Sequence, residues 1–205
     1  MLPNPKINFA HSKGIDLPIM YVYLAGYMSG EKIKETTEWR IKIREHYKNW
    51  EVTPEIRGSR LYTINHDLKE EDIIIQHKKV KSYPIAFLDP YNGKEVGTID
   101  KSGLKSSIPP KAIIQGDYMS VKKADVIIAN MSTFGAKRPL TGTQWELAWA
   151  WQMGKPFILI TDEDNYIHHP FCGNEASWIV KDTNELLELG ILETFYRRVS
   201  GAIYE

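Results

Sequence analysis

Apolar residues in this chain gather in short unbroken runs separated by amphipathic stretches. Met20-Tyr-Val-Tyr-Leu-Ala25, Asp125-Val-Ile-Ile-Ala-Asn130 and Pro156-Phe-Ile-Leu-Ile-Thr161 have the length and composition of strands covered on both faces. Between and around them the period changes. Glu31 to Asn49 places Ile33, Trp39, Ile43 and Tyr47 on one face of a helix. Asp117 to Lys123 predicts a short helix. Gly142 and Thr143 mark the start of another, with Thr141 or Thr143 as N-cap. Ser177-Trp-Ile-Val180 predicts a last short strand, and Asp182 to Arg198 a closing helix capped by Asp182 or Thr183. Strands alternating with helices point to a parallel sheet with helices on both faces.

Two stretches depart from that rhythm. Residues 1–18 are polar and read as an arm. From about 55 to 112 the chain is rich in charge and turn residues, and Trp50-Glu-Val-Thr53 before it reads as the second strand. Inside the stretch, Tyr83-Pro-Ile-Ala-Phe-Leu88 and Lys94-Glu-Val-Gly-Thr-Ile99 flank Asp89-Pro-Tyr-Asn-Gly93, whose Asn-Gly pair is a hairpin signal. The expectation is one domain over 1–205, with an insertion at about 55–112 that contains a β-hairpin.

In a parallel sheet, ligands bind beyond the carboxyl ends of the strands. Three polar segments collect there: Gly26-Tyr27-Met28-Ser29-Gly30, Asn130-Met-Ser-Thr133, and the turn Leu140-Thr-Gly142-Thr143 before Glu146. Glu146 stands out. It is expected in the first turn of a helix whose other residues, Trp145, Leu147, Trp149, Ala150 and Met153, read as core. A buried charge is costly unless paired or used. Either the helix dipole favours it, or it is a catalytic carboxylate. The glycine-bounded turn at 26–30 can offer free N–H groups to a phosphate or hydroxyl, or be an ordinary strand-to-helix turn. Asp117 reads as a helix-start acid, and Asp125 as a structural turn residue. Tyr23, inside the first strand, needs a partner for its hydroxyl, which a carboxylate on a neighbouring element could supply. His168 and His169 are adjacent and point to opposite sides of an extended chain, so a metal reading has little support.

Composition narrows the field. Lys plus Arg equals Asp plus Glu at 26 each, so the net charge is zero, which argues against a general binder of polymeric nucleic acid. The single cysteine, Cys172, cannot form an internal disulfide and reads as a buried or inert thiol. No signal-peptide core or membrane-length apolar run occurs, so the expectation is a soluble cytoplasmic protein without a membrane partner. The six Trp and eleven Tyr residues are many for 205, and some are expected to line a pocket or a subunit interface.

Taken in order, Val22-Tyr-Leu-Ala-Gly26, Gly116-Asp-Tyr-Met-Ser-Val-Lys-Lys-Ala-Asp-Val-Ile-Ile-Ala-Asn130, Gly142-Thr-Gln-Trp-Glu-Leu-Ala-Trp-Ala-Trp-Gln-Met-Gly-Lys-Pro156, and His169-Pro-Phe followed by Ser177-Trp-Ile-Val180 resemble the nucleoside 2-deoxyribosyltransferase family. That superfamily includes the 2′-deoxynucleoside 5′-phosphate N-hydrolases and phage-encoded members. The resemblance covers residues 20–30 and 113–198. It implies a flavodoxin- or Rossmann-like α/β fold, no cofactor and no metal, and a homo-oligomer of dimer size or larger. Its ligands would be a deoxynucleoside or deoxynucleotide and a free nucleobase. It implies that Glu146 is the nucleophile that forms a covalent deoxyribosyl intermediate, that Tyr23 holds this carboxylate, and that Asp117 assists protonation of the leaving base. Leu140 stands where transferases carry aspartate and phosphohydrolases serine, while Lys137 and Arg138 just upstream could bind a phosphate. Ser177 falls near a position by which a neighbouring subunit completes the pocket. Base exchange between deoxynucleosides is the leading expectation. N-glycosidic hydrolysis of a deoxynucleoside 5′-monophosphate is the alternative, and a nucleotide-sensing module without turnover is the alternative of another class.

Overall fold

The computed structural model describes residues 9–12, 15–28, 33–47, 52–53, 63–64, 85–90, 99–100, 103–104, 109–137 and 139–199. In chain order their elements are β1 (Phe9–Ser12), β2 (Ile15–Pro18), β3 (Met20–Gly26), α1 (Ile33–His46), β4 (Val52–Thr53), β5 (Thr63–Ile64), β6 (Ile85–Leu88), β7 (Ile99–Asp100) and β8 (Gly103–Leu104). They continue with α2 (Pro110–Lys123), β9 (Val126–Asn130), α3 (Thr141–Gln152), β10 (Phe157–Ile160), α4 (Asp164–Ile167), β11 (Trp178–Val180), α5 (Thr183–Glu188) and α6 (Ile191–Val199).

Five strands form one sheet in the order β11-β10-β9-β3-β6, every neighbouring pair parallel. Numbered by appearance within the sheet, this is the 2-1-3-4-5 order of a flavodoxin-like, doubly wound fold, with its switch point between β3 and β9. The unbroken apolar runs have the expected cause, because both faces are covered. Met20, Val22 and Leu24 face Trp39 and Ile43 of α1 and Tyr47 just after it, with Leu186 of α5 and Tyr196 of α6. Tyr23, Ala25, Ile127 and Ala129 face Val121 of α2 and Leu147 and Ala150 of α3. All seven residues of β3 and all five of β9 are buried.

Several boundaries differ from the sequence expectation. Ile85–Leu88 has only Ile99 of its expected hairpin partner, residues 94–99, among the described residues. It pairs in parallel with β3, Met20 opposite Ile85 and Tyr23 opposite Leu88, and is the second strand of the main sheet. Val52–Thr53, expected in that place, instead forms a two-stranded antiparallel ladder with Thr63–Ile64. Among the described residues of 55–112, β7 and β8 pair antiparallel, Ile99 opposite Leu104. Residues 9–18 are not a plain arm but pair as the antiparallel β1 and β2. The closing helix is two helices broken at Gly190, whose φ of 59° lies in the left-handed region that glycine tolerates without strain.

Two corrections bear on chemistry. α2 begins at Pro110, whose missing N–H costs nothing at the first helical position. Asp117 is therefore interior to the helix rather than at its start. α3 begins at Thr141 after Leu140 as N-cap, with no side-chain cap from either threonine. Glu146 is thus the sixth residue of its helix, beyond the first turn within which the dipole acts. At the other end of the sheet, Asp125 has the structural role expected of it. Its Oδ2 accepts the Tyr21 N–H at 2.8 Å, and its own N–H donates to the Tyr21 carbonyl at 2.7 Å. No helix among the described residues is long and apolar enough to cross a membrane.

Candidate active site

Three elements converge on Glu146. Alternation along β3 turns Tyr23 toward α2 and α3, and helical periodicity turns Glu146 inward beside Leu147 and Ala150. The Tyr23 hydroxyl donates to Glu146 Oε1 at 2.8 Å, with Tyr23 fully buried and Glu146 only 7% exposed. Burial is the main force raising the Tyr23 pKa. The charges of Glu146 and then Asp117 raise it further, the hydrogen bond to Glu146 adds to this, and Arg40 opposes. The phenol therefore keeps its proton and serves as a fixed donor, so the carboxylate accepts. Asp117, half-buried on α2, is near enough for its charge to act on that phenol. A protonated phenol and two carboxyl groups, one from each of β3, α3 and α2, thus stand together beside the switch point.

The remaining expected residues fall into two groups. Gly26 ends β3, and Tyr27 is buried in the same cluster as Tyr23 and Leu140. Gly26 has a steric reason for its identity. A Cβ there would lie 3.0 Å from Trp39 Cζ2 and 3.3 Å from both Arg40 Nη2 and the Asn130 carbonyl oxygen. Met28 is half-buried, while Ser29, Gly30 and Arg138 lie outside the described residues. Leu140 is buried at the start of α3, Thr143 is buried within it, and Gly142 is exposed. Asn130 ends β9, buried, and its Oδ1 accepts the Ser132 N–H at 2.9 Å, which shapes the turn that follows. It lines a cleft of about 490 Å³ with Trp39, Phe134, Thr161 and Asp182.

Two further expected residues are exposed. Lys137 is exposed on the segment between β9 and α3. Ser177 is exposed and donates its N–H to the carbonyl of Phe157, the first residue of β10, so it belongs to the amino edge of the sheet. Trp145, expected in the core, is 60% exposed and meets Trp149 with ring centroids 5.9 Å apart; Trp149 in turn meets Tyr118 of α2 at 5.3 Å. His169 is exposed, and its Nδ1 accepts the Phe171 N–H at 3.3 Å. Cys172 is buried, which pushes its thiol pKa up.

The pattern reading missed Arg40 and Asp89. Arg40 is 1% exposed, and its guanidinium donates to the carbonyls of Thr36, Leu24 (3.4 Å) and Gly26 (3.2 Å). Its Nε lies 3.6 Å from Asp89 Oδ1, and the group sits over the Trp39 ring at 4.4 Å. The signal was present in the sequence. Arg40 stands four residues after Thr36, three before Ile43 and seven before Tyr47, on the face that α1 buries.

No protein-family model matches the chain, and none of the curated proteins matches it. Solved structures with a related backbone include a conserved protein from Enterococcus faecalis V583, at 15% identity over 83% of this chain and 96% of that one, with a TM-score of 0.48. The CMP N-glycosidase BcmB from Clostridium botulinum is 16% identical over 84% of this chain and 98% of that one, with a TM-score of 0.43. A point mutant of a Sir2 homologue, in complex with ADP-ribose, is 9% identical over 91% of this chain and 94% of that one, with a TM-score of 0.35. Likeness at this level says nothing about what the chain binds or transforms.

Proposed function

We propose that the chain is an enzyme of N-glycosidic bond chemistry that transfers 2-deoxyribose between nucleobases through Glu146. The observation that carries the reading is the buried hydrogen bond from Tyr23 to Glu146 Oε1. A carboxylate removed from water is costly unless it is hydrogen-bonded or used, and the phenol helps to fix it in one orientation. Asp117 is the group that would deal with the base.

In the proposed reaction Glu146 Oε2 attacks C1′ of a deoxynucleoside. The C1′–N bond breaks, its electron pair goes to the base, and Asp117 as acid supplies the proton that neutralises the departing base. The resulting glutamyl-deoxyribosyl ester is attacked at C1′ by a nitrogen of a second base. That base returns its proton to Asp117, and Glu146 leaves as carboxylate. Two inversions give net retention. The carboxylate also opposes the positive charge that develops on the sugar at each transition state.

Incubation with deoxynucleosides and deoxynucleoside monophosphates, with and without free adenine, tests the reading by chromatography of products. A new deoxynucleoside formed only with adenine supports transfer. Free base released without acceptor, chiefly from monophosphates, replaces transfer with hydrolysis at the same carboxylate. No turnover of either class, or full turnover by Glu146→Ala, overturns the reading.

A further inference from the structure

The end of β3 extends beyond its neighbour on one side. Ladder pairing with β6 stops at Tyr23 opposite Leu88, whereas pairing with β9 continues to Gly26 opposite Asn130. Carbonyls alternate in direction along a strand. Tyr21 turns its carbonyl toward the β9 side, where the Asp125 N–H meets it. Leu24 and Gly26, of opposite parity, therefore turn theirs toward the side where β6 has ended. There the Arg40 guanidinium donates to both oxygens. Asp89, the residue directly after β6, faces the same guanidinium at 3.6 Å. A side chain from α1 thus replaces the strand residues that β6 lacks, and the first residue past the end of β6 holds it.

We infer that Arg40, held by Asp89, is the positioning residue of the candidate site: it completes the sheet beside Leu24 and Gly26 and so fixes the turn that begins at Gly26 against the helix carrying Glu146. Tyr27, the first residue of that turn, is buried with Tyr23 and Leu140, so a displaced Gly26 is felt by the cluster that seats Glu146. Close approach makes the fit specific, since a Cβ at Gly26 would lie only 3.0 Å from Trp39 Cζ2 and 3.3 Å from Arg40 Nη2. An arginine suits the place and a lysine does not. Its planar fork reaches three carbonyls and faces a carboxylate at once, whereas an ammonium is a single point donor. The inference rests on Glu146 being the reacting carboxylate only where turnover is read, and the pinning of the turn is measurable without it.

Arg40→Lys and the double variant Arg40→Met/Asp89→Leu separate positioning from packing. The double variant replaces a buried ion pair by apolar volume, an exchange that is often neutral or stabilising, and far-UV circular dichroism establishes which variants are folded before exchange is read. The Tyr27 and Met28 amides are expected to exchange with deuterated solvent at least about tenfold faster in both variants. The KM for a deoxynucleoside is expected to rise roughly tenfold, with kcat changed less. Unchanged exchange at these amides in a folded variant overturns the inference, as does a wild-type KM in the double variant. Faster exchange in a protein whose wild type turns over no nucleoside upholds the pinned turn and refutes the glycosidic reading.

Discussion

Tyr23→Phe isolates the hydrogen bond on which the site depends. The ring stays and only the hydroxyl is lost, so no cavity of consequence forms in the cluster around it. Glu146 Oε1 loses its donor at 2.8 Å while remaining 7% exposed. A hydrogen bond to a charged group contributes about 1.5–3 kcal/mol, and the buried acceptor left behind bears its own desolvation cost. For a chain of this size each kcal/mol moves the melting temperature by about 2–4 °C, so Tm falls by about 3–12 °C. If the same energy is lost in orienting the nucleophile, kcat falls roughly tenfold to 150-fold. The charge can be tested apart from the geometry. Glu146→Gln keeps an acceptor of the same shape, so Tyr23→Phe made in that background loses only a neutral hydrogen bond, about 0.5–1.5 kcal/mol. Thermal and urea unfolding of the four proteins of the cycle measure the coupling. Equal costs in the two backgrounds would falsify the charge-assisted bond, and an unchanged Tm with full kcat in Tyr23→Phe would remove the tyrosine from the site.

Other substitutions probe the surrounding frame. Gly26→Ala forces a methyl to within 3.0 Å of Trp39 Cζ2, and overpacking of this kind costs about 1–3 kcal/mol; denaturant midpoints read it, and wild-type stability would show that the turn yields freely. Asp125→Asn keeps an acceptor for the Tyr21 N–H but removes a carboxyl whose pKa burial raises, against the lowering by the Tyr21 hydrogen bond and Lys155. The folded pKa lies above the unfolded one, so the native state binds more protons between the two and stability falls as pH rises through that window. Stability against pH in Asp125→Asn loses this decline, and an identical slope in the acid range would contradict the burial account. Asp182 caps α5 by accepting the Glu185 N–H at 3.0 Å, the main cause of its lowered pKa. Its contribution is present above the unfolded pKa and fades as pH falls through the folded one. Asp182→Ala costs about 1 kcal/mol at neutral pH, and the difference from wild type closes on acidification.

What the pattern of residues discloses depends on whether the determining contacts are local. β3, β9 and β10 were legible because parallel strands covered on both faces are continuously apolar, and α1 because one face repeats at helical spacing. Pairing of Tyr23 with Glu146 was also legible, since a buried phenol and a buried carboxylate each need a partner. Ile85–Leu88 was misplaced because the Asn92-Gly93 pair is a strong local hairpin signal, while the parallel partner lies far back along the chain at β3. The start of α2 was missed for a similar reason. Gly116 read as a boundary, although Pro110 offered the better one. The spacing of Arg40 to Ile43 and Tyr47 puts it on the buried face of α1, but a reading that sorts charged residues outward passes over it, because the carbonyls that satisfy it are left open by the distant end of β6.

The pairing of β6 with β3 has a consequence for how the chain can vary. Residues 27–84 lie between two strands that are neighbours in the sheet, while β9, α3, β10 and β11 follow one another with short connections. The C-terminal part can assemble from near neighbours, and β6 joins an edge whose register is already set. Closing a longer span adds little entropy cost, about 0.6 kcal/mol for each doubling. Changes of length in the stretch between α1 and β6 are therefore expected to leave Tyr23, Asp117 and Glu146 in place, because all three are seated by other elements.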